Sequence, residues 1–338
     1  NRTYEGFIRF TKRFTMDNVT RLNGNGAIRQ GVHNDTPVVH NMSLYDGEMI
    51  NYVLRNIEVG GTPTYLTRDI DGGVEITGYA GKSGGSSVLN IPATIEDKAV
   101  KAIGANAFAN GGYGKNYTEV VIPSSVETIG AYAFARSPQL STVTFAAGSE
   151  LKTIGNGAFA GTALTTFTIG ATVESIGAGV FRECAQLESI TVDAGNTVYE
   201  SVDGSLYNEA VETLIAVPGN KKAGESAVTQ LTIPATVTEI APYACTGNTN
   251  LTAVNLGNAQ TVHAEAFSRC TNLASVTAPE MRFVESGAFS GTSWAETDGD
   301  ALTLGKVYLR YVGTATSVDL QGYESVSEFA FAGNSTLE

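Results

Sequence analysis

Basic residues are scarce in this chain: 21 Lys and Arg stand against 34 Asp and Glu, a formal charge of −13. A nucleic-acid binder needs a cationic footprint for the phosphate backbone, so that class is excluded. Cysteine is down to three residues, Cys184, Cys245 and Cys270, too few for a disulfide framework. Trp294 is the single tryptophan. No apolar run approaches the roughly 20 residues that a membrane-spanning helix requires. A glycine-rich phosphate loop, a Gly-x-Ser-x-Gly elbow and a His-Glu-x-x-His helix are all missing, and with them the common signatures of enzyme chemistry. Charged residues reach only 16%, against about 25% in ordinary globular chains. The 42% of hydrophobic residues can instead fill a sizeable core.

What is plentiful is glycine, 38 of 338 residues, which implies many turns. The acidic excess is uneven. Residues 1–73 carry eight basic and eight acidic residues, so the whole deficit lies in residues 74–338. This shift, with Gly72-Gly73 and Gly81-Lys82-Ser83-Gly84-Gly85 beside it, predicts a domain boundary at residue 73. The chain opens Asn1-Arg2-Thr3 without methionine, as a processed product or a fragment would.

From Val74 onward the chain repeats itself. Ile or Val, three residues, a small residue and Phe recur at Ile103…Phe108, Ile129…Phe134, Ile154…Phe159, Ile176…Phe181, Val262…Phe267, Val284…Phe289 and Val326…Phe331. An eighth copy puts Cys245 in the Phe slot. Before each stands a short alternating run such as Val143-Thr144-Phe145 or Phe167-Thr168-Ile169, usually with Leu three residues ahead. The last apolar positions of these runs fall at 91, 122, 145, 169, 192, 233, 256, 278 and 320, mostly 22 to 24 residues apart. That period belongs to leucine-rich repeats, which span about 20–29 residues. The alternation predicts a short parallel strand per coil, and the Gly…Ala-Phe segment a helical or 3₁₀ turn. One coil cannot bury its Leu, Val, Ile and Phe, but stacked coils can. The fold class expected is therefore α/β, a leucine-rich-repeat solenoid preceded by a small β-rich N-terminal domain.

Two steps are long, and their inserts are related. Asp203-Gly204-Ser205-Leu206-Tyr207 with Leu214-Ile215-Ala216 parallels Asp298-Gly299 with Leu302-Thr303-Leu304 and Tyr308-Leu309-Arg310-Tyr311. Asp-Gly between apolar alternations signals a hairpin, so residues 193–228 and 292–315 are read as enlarged coils in which a hairpin replaces the turn. The pattern resembles the BspA-like leucine-rich repeats of bacterial surface proteins. Val74-Glu75-Ile76-Thr77-Gly78-Tyr79 resembles the opening of that family, and Asn196…Tyr199…Asp203-Gly204…Leu206-Tyr207 its long repeat. The resemblance covers residues 74–338. It implies adhesion or partner binding, with no shared active site.

Residues 1–73 read as β-rich, with Phe7-Ile8-Arg9-Phe10 and Ile57-Glu58-Val59 alternating and turns at Asn23-Gly24 and Gly60-Gly61. A cap over the open solenoid end is one role, a separate docking domain another. At the other end, Asn334-Ser335-Thr336-Leu337-Glu338 stops where a further strand is expected. His33 and His40 flank Asp35 without a third ligand, which fits a polar loop better than a metal site. His263 stands where sister coils have Gly104, Gly130, Gly155 and Gly177 and reads as a turn residue. Asp69-Ile70-Asp71-Gly72 and Asp298-Gly299-Asp300 lack the distal carboxylate of a calcium loop and read as turns. Cys184 and Cys270 each follow their Phe by three residues and read as buried small hydrophobes without a base.

The strand residues between the inward-facing ones, Asn90, Val121, Thr144, Thr168, Thr191, Thr232, Asn255, Thr277 and Asp319, point outward on the concave side. They form a neutral, hydroxyl-lined face for a protein or peptide backbone, or simply a β-favouring column. The aromatics Tyr199, Tyr207, Trp294, Tyr308, Tyr311 and Tyr323 cluster in the inserts, as interface anchors or as plugs that seat the hairpins. The candidate binding residues are Thr144, Thr168, Thr191, Thr232, Asn255, Thr277, Trp294 and Tyr308, with no catalytic residue, metal or cofactor. The function expected is a non-catalytic, secreted or surface-displayed adhesion-type protein that binds a protein or peptide ligand, possible partners being a host protein or a transporter subunit. The alternative is an accessory lipoprotein of a Bacteroidetes outer-membrane nutrient importer, attached to the membrane only through an anchor outside this sequence.

Overall fold

Two alternations per coil give two parallel ladders. In a computed structural model that describes residues 21–22, 28–29, 65–79, 87–109, 117–296 and 299–337, the front ladder holds eight short strands. Val88–Asn90, Glu119–Ile122 and Thr142–Phe145 pair in parallel, as do Thr166–Ile169 with Ser189–Val192, and Gln230–Thr232 with Ala253–Asn255 and Ser275–Thr277. Register places like on like: Leu89 opposite Val120, Val120 opposite Val143, Phe167 opposite Ile190. The ninth run, at residues 318–320, forms no strand. A side ladder stacks Ile76, Ile103, Ile129, Ile154 and Ile176, then Ile240, Val262 and Val284. Apolar side chains of both ladders point inward, where Ile103, Ile129 and Ile154 are fully buried.

The phenylalanines stand in single file. Ring centroids of Phe108 and Phe134 lie 5.2 Å apart, those of Phe134 and Phe159 5.5 Å, and those of Phe159 and Phe181 6.2 Å, all stacked. Each buried Phe contributes about 1.5–3 kcal/mol, and each aromatic pair roughly 0.5–1.5 kcal/mol more. Beyond the Cys245 slot the file resumes with Phe267 and Phe289, 5.2 Å apart.

The turns that carry these rings correct the sequence expectation. Among the described residues there is no α-helix, and 3₁₀ geometry occurs only at Ala109, so the solenoid is all-β rather than α/β. In each coil two β-turns follow one another: Ala107 N bonds Gly104 O, and Ala109 N bonds Asn106 O. The amides between them reach the neighbouring coil instead of their own, with Phe108 N on Ala133 O at 2.8 Å and Phe134 N on Ala158 O at 2.8 Å. A left-handed residue at Asn106 (φ 58°), Tyr132 (φ 56°) or Gly157 (φ 58°) opens each turn and denies it helical dihedrals. The turns thus make a third inter-coil ladder.

The hairpin of the first insert is where Asp203-Gly204 predicted it. Tyr199–Val202 and Ser205–Asn208 pair antiparallel around those two residues, whose φ values of 49° and 72° suit a type I′ turn. Thr213–Ala216 then pairs with Ser205–Asn208 on one side and with Glu239–Ile240 on the other, which carries the side ladder through. The second hairpin joins Ala301–Leu304 to Val307–Tyr311, and its turn falls at Gly305-Lys306 rather than at Asp298-Gly299.

Tyr65–Ile70 and Gly73–Tyr79 form one antiparallel hairpin, and Gly73–Tyr79 pairs in parallel with Lys98–Ile103 at the start of the side ladder. Tyr79 is 1% exposed, and its ring sits 5.5 Å from Phe108 at the head of the aromatic file. Before it, Arg21–Leu22 pairs antiparallel with Ile28–Arg29. The other N-terminal readings, Phe7 to Phe10, Ile57 to Val59, both turns and the His33, Asp35 and His40 group, fall outside the described residues.

Candidate ligand-binding face

The front strands turn one face inward and the other out. Thr144, Thr168, Thr191, Thr232, Asn255 and Thr277 are all exposed. Register brings them together in groups: Thr168 opposite Thr191, their hydroxyls 2.9 Å apart, and Thr232, Asn255 and Thr277 in one row. Thr144 stands opposite Val121, and its hydroxyl donates to Glu119 Oε1 at 3.1 Å. Period-2 geometry adds a second outward column that the sequence reading passed over: Glu119, Thr142, Thr166, Ser189, Gln230, Ala253 and Ser275. The face is therefore two side chains wide, and Glu119 is its one charged member.

The first insert divides this face. Ile190 N donates to Gly204 O at 2.8 Å and Ser201 Oγ to Ile190 O at 2.6 Å, so the hairpin covers the edge that the next strand would occupy. Asn220 N bonds Leu187 O, and Lys221 Nζ donates to the buried Ser205 Oγ at 3.1 Å. The expected single row thus lies in two stretches, Asn90 to Thr191 and Thr232 to Thr277.

Trp294 and Tyr308 lie elsewhere. Trp294 is 9% exposed and meets Phe289 edge-on, with centroids 4.8 Å apart. Tyr308 is 3% exposed and stacks on Phe331 at 5.5 Å. Tyr199 is buried too, its hydroxyl accepting from Ile176 N at 2.8 Å at the edge of the side ladder. The insert aromatics seat the hairpins on the core.

Cys245 is buried in the Phe slot itself, whereas Cys184 and Cys270 belong to a buried column three residues after that slot, shared with Ser137, Thr162, Asn248 and Thr292. Its members satisfy turn carbonyls: Cys184 Sγ donates to Phe159 O, Cys270 Sγ to Cys245 O, and Thr292 Oγ1 to Phe289 O. Burial pushes all three thiols up, Cys270 to about 12, so they stay protonated. His263 Nδ1 lies 2.9 Å from Glu285 Oε1, and Ala264 N donates to Glu285 Oε2 at 2.7 Å. Its Gly counterparts have no such room: a Cβ on Gly155 would fall 2.5 Å from Ala131 N.

A further cluster was not found from the sequence. Arg182 lies between Tyr132 and Tyr243, its Cζ 5.7 Å and 5.0 Å from the two ring centroids. The signal was present, since sister coils place Ala135, Ala160, Thr246 and Ser268 where Arg182 stands.

A coil period of 22 to 24 residues, inward Leu, Val and Ile in register and a Phe file describe a leucine-rich repeat of one particular kind. The BspA type Leucine rich repeat region matches residues 101–227 and 223–296 in six copies. The chain belongs to the BspA-type leucine-rich-repeat family. Among solved structures, the pneumococcal vaccine antigen PcpA is similar over 80% of this chain and 78% of its own, at 18% identity and a TM-score of 0.55, a likeness of fold. A leucine-rich repeat protein from Bacteroides capillosus is 34% identical over 41% of this chain and 98% of its own (TM-score 0.34). A leucine rich cell surface protein from Faecalibacterium prausnitzii is 19% identical over 70% of this chain and 92% of its own (TM-score 0.34). No curated protein matches the chain.

Proposed function

We propose that this BspA-type repeat protein is a non-catalytic binding protein of the bacterial surface or of its secretions, and that it holds a protein or peptide ligand on its front face. The observation that carries the reading is the pair of registered outward columns, rich in Thr, Ser, Asn and Gln and almost without charge. Such side chains offer donors and acceptors at strand spacing, suited to a peptide backbone or loop laid across the rungs. Surface location rests on family membership and on the cell-surface description of the Faecalibacterium relative. The test is selection of binders from a random peptide display library on the intact protein, followed by Thr168→Glu and Asn255→Glu. Loss of the selected binders in these variants, at unchanged melting temperature, is the expected outcome. Binders indifferent to both substitutions would refute the front face as the site. Co-purification with a porin-like partner would favour the nutrient-import alternative.

A further inference from the structure

We propose that Arg182, clamped between Tyr132 and Tyr243, is a receptor for a carboxylate on an acidic segment of a protein partner. The site lies on the turns, not on the front strands, so it does not depend on the function proposed above.

Arg182 follows Phe181 at a position where the turn tucks a small residue inside: Ala109, Ala135, Ala160, Thr246 and Ser268 are each buried there. A guanidinium breaks that rule, and the surroundings are arranged for it. Tyr132 comes from the coil two before and Tyr243 from the coil after the insert, and glycines clear the space between. A Cβ on Gly157 would stand 2.5 Å from Tyr132 Cε1, and one on Gly179 would stand 3.0 Å from Tyr243 Cβ. Both rings lie within cation–π distance of its Cζ. Contact with a ring face does not use up the N–H fork of a guanidinium, and the geometry of that fork matches a carboxylate.

Among the described residues no carboxylate takes up this fork. Glu183, its neighbour in the chain, is drawn away over Gly247 to an ion pair with Arg269. Arg182 also lines a small cavity with Gly179, Phe181, Cys184, Val217 and Tyr243, which Tyr132 does not border. Tyr and Arg are the residues that most often carry a protein interface, which favours an Asp or Glu of a protein partner over an acidic glycan.

The experiment is fluorescence anisotropy of the intact protein with labelled hexaglutamate, hexaglutamine and trigalacturonate, on the wild type, Arg182→Gln, Arg182→Lys and the front-face variant Thr232→Glu. Hexaglutamate is expected to bind the wild type and Thr232→Glu equally and hexaglutamine to bind neither. Arg182→Gln should weaken hexaglutamate at least tenfold, and Arg182→Lys should weaken it several-fold, because an ammonium neither stacks nor forks. If Arg182→Gln melts early, Arg182→Lys decides, and wild-type affinity in that variant overturns the proposal. Absence of hexaglutamate binding, equal binding to Arg182→Gln, or preference for trigalacturonate would overturn it as well.

Discussion

Phe159 and Thr168 sit in one coil and face opposite media. Phe159 is fully buried between Phe134 and Phe181, whereas Thr168 is exposed and exchanges a hydroxyl contact with Thr191. Phe159→Ala removes a ring that two neighbouring coils have closed around and should cost about 3–5 kcal/mol. Thr168→Ala loses a solvated cross-strand pair and should cost under about 1 kcal/mol. Urea denaturation of the two variants measures the difference, and equal midpoints would contradict this assignment of inside and outside. Single residues also explain two of the cysteines. Cys184 and Cys270 stand in a column of small polar side chains that quiet turn carbonyls, a role that Ser137 and Thr162 fill elsewhere.

At the scale of elements, the strands were legible because alternation is local: a residue's neighbours two away settle which side it takes. The turns were not. Gly…Ala-Phe is compatible with a helical turn, and what excludes one is the amide of Phe134 bonding a carbonyl in the next coil, a partner that its own segment does not reveal. The turn at Gly305-Lys306 was displaced for a similar reason, since pairing of Ala301–Leu304 with Val307–Tyr311 outweighs the Asp-Gly signal upstream. The hairpin of the first insert stands at Asp203-Gly204, where the sequence signalled it, and Asn196 shows how it is held. Its amide donates to Gly170 O at 2.8 Å and Val173 O at 2.9 Å, while its Oδ1 accepts from Val198 N and Tyr199 N. Asn196→Ala leaves these groups without their partner and should cost about 2–3 kcal/mol. Faster hydrogen exchange at the Val198 and Tyr199 amides is the local readout.

At the scale of the whole molecule, the described interior divides at the first insert, one cluster ending at Leu206 and Ala216 and the next beginning at Tyr207 and Leu214, with a small further cluster around Tyr308, Tyr311 and Ala330. Coils couple chiefly to their neighbours, so damage should stay on its own side. Phe159→Ala is expected to raise exchange in residues 88–192 and to leave residues 253–289 near wild type, while a uniform rise would disprove the division. Acid should act on the side ladder. Glu127 is hydrogen-bonded by Lys101 and Lys152 and held at about 2, and Glu285 and Glu324 are lowered by His263 and by Lys306. Carboxylates lowered on folding add stability that is complete above their ordinary value of 4.5 and is withdrawn as pH falls toward the folded values. Melting temperature should be level between pH 7 and 5 and decline below 4.5, gently, because these groups are solvent-screened.

Two residues after the Phe slot, from Phe134 to Phe289, the backbone is left-handed and its occupants alternate: Arg136, Gly161, Glu183, Gly247, Arg269, Gly291. Glu183 Cγ lies 3.1 Å from where a Gly247 Cβ would be, whereas at Gly161 and Gly291 the nearest atoms of Arg136 and Arg269 stand 3.8 Å and 3.9 Å away, an ordinary contact. A broad arm therefore leans on a bare shoulder at one seam only, between the coils of Glu183 and Gly247, and a side chain placed on that shoulder would prise the rod open there before anywhere else in the row.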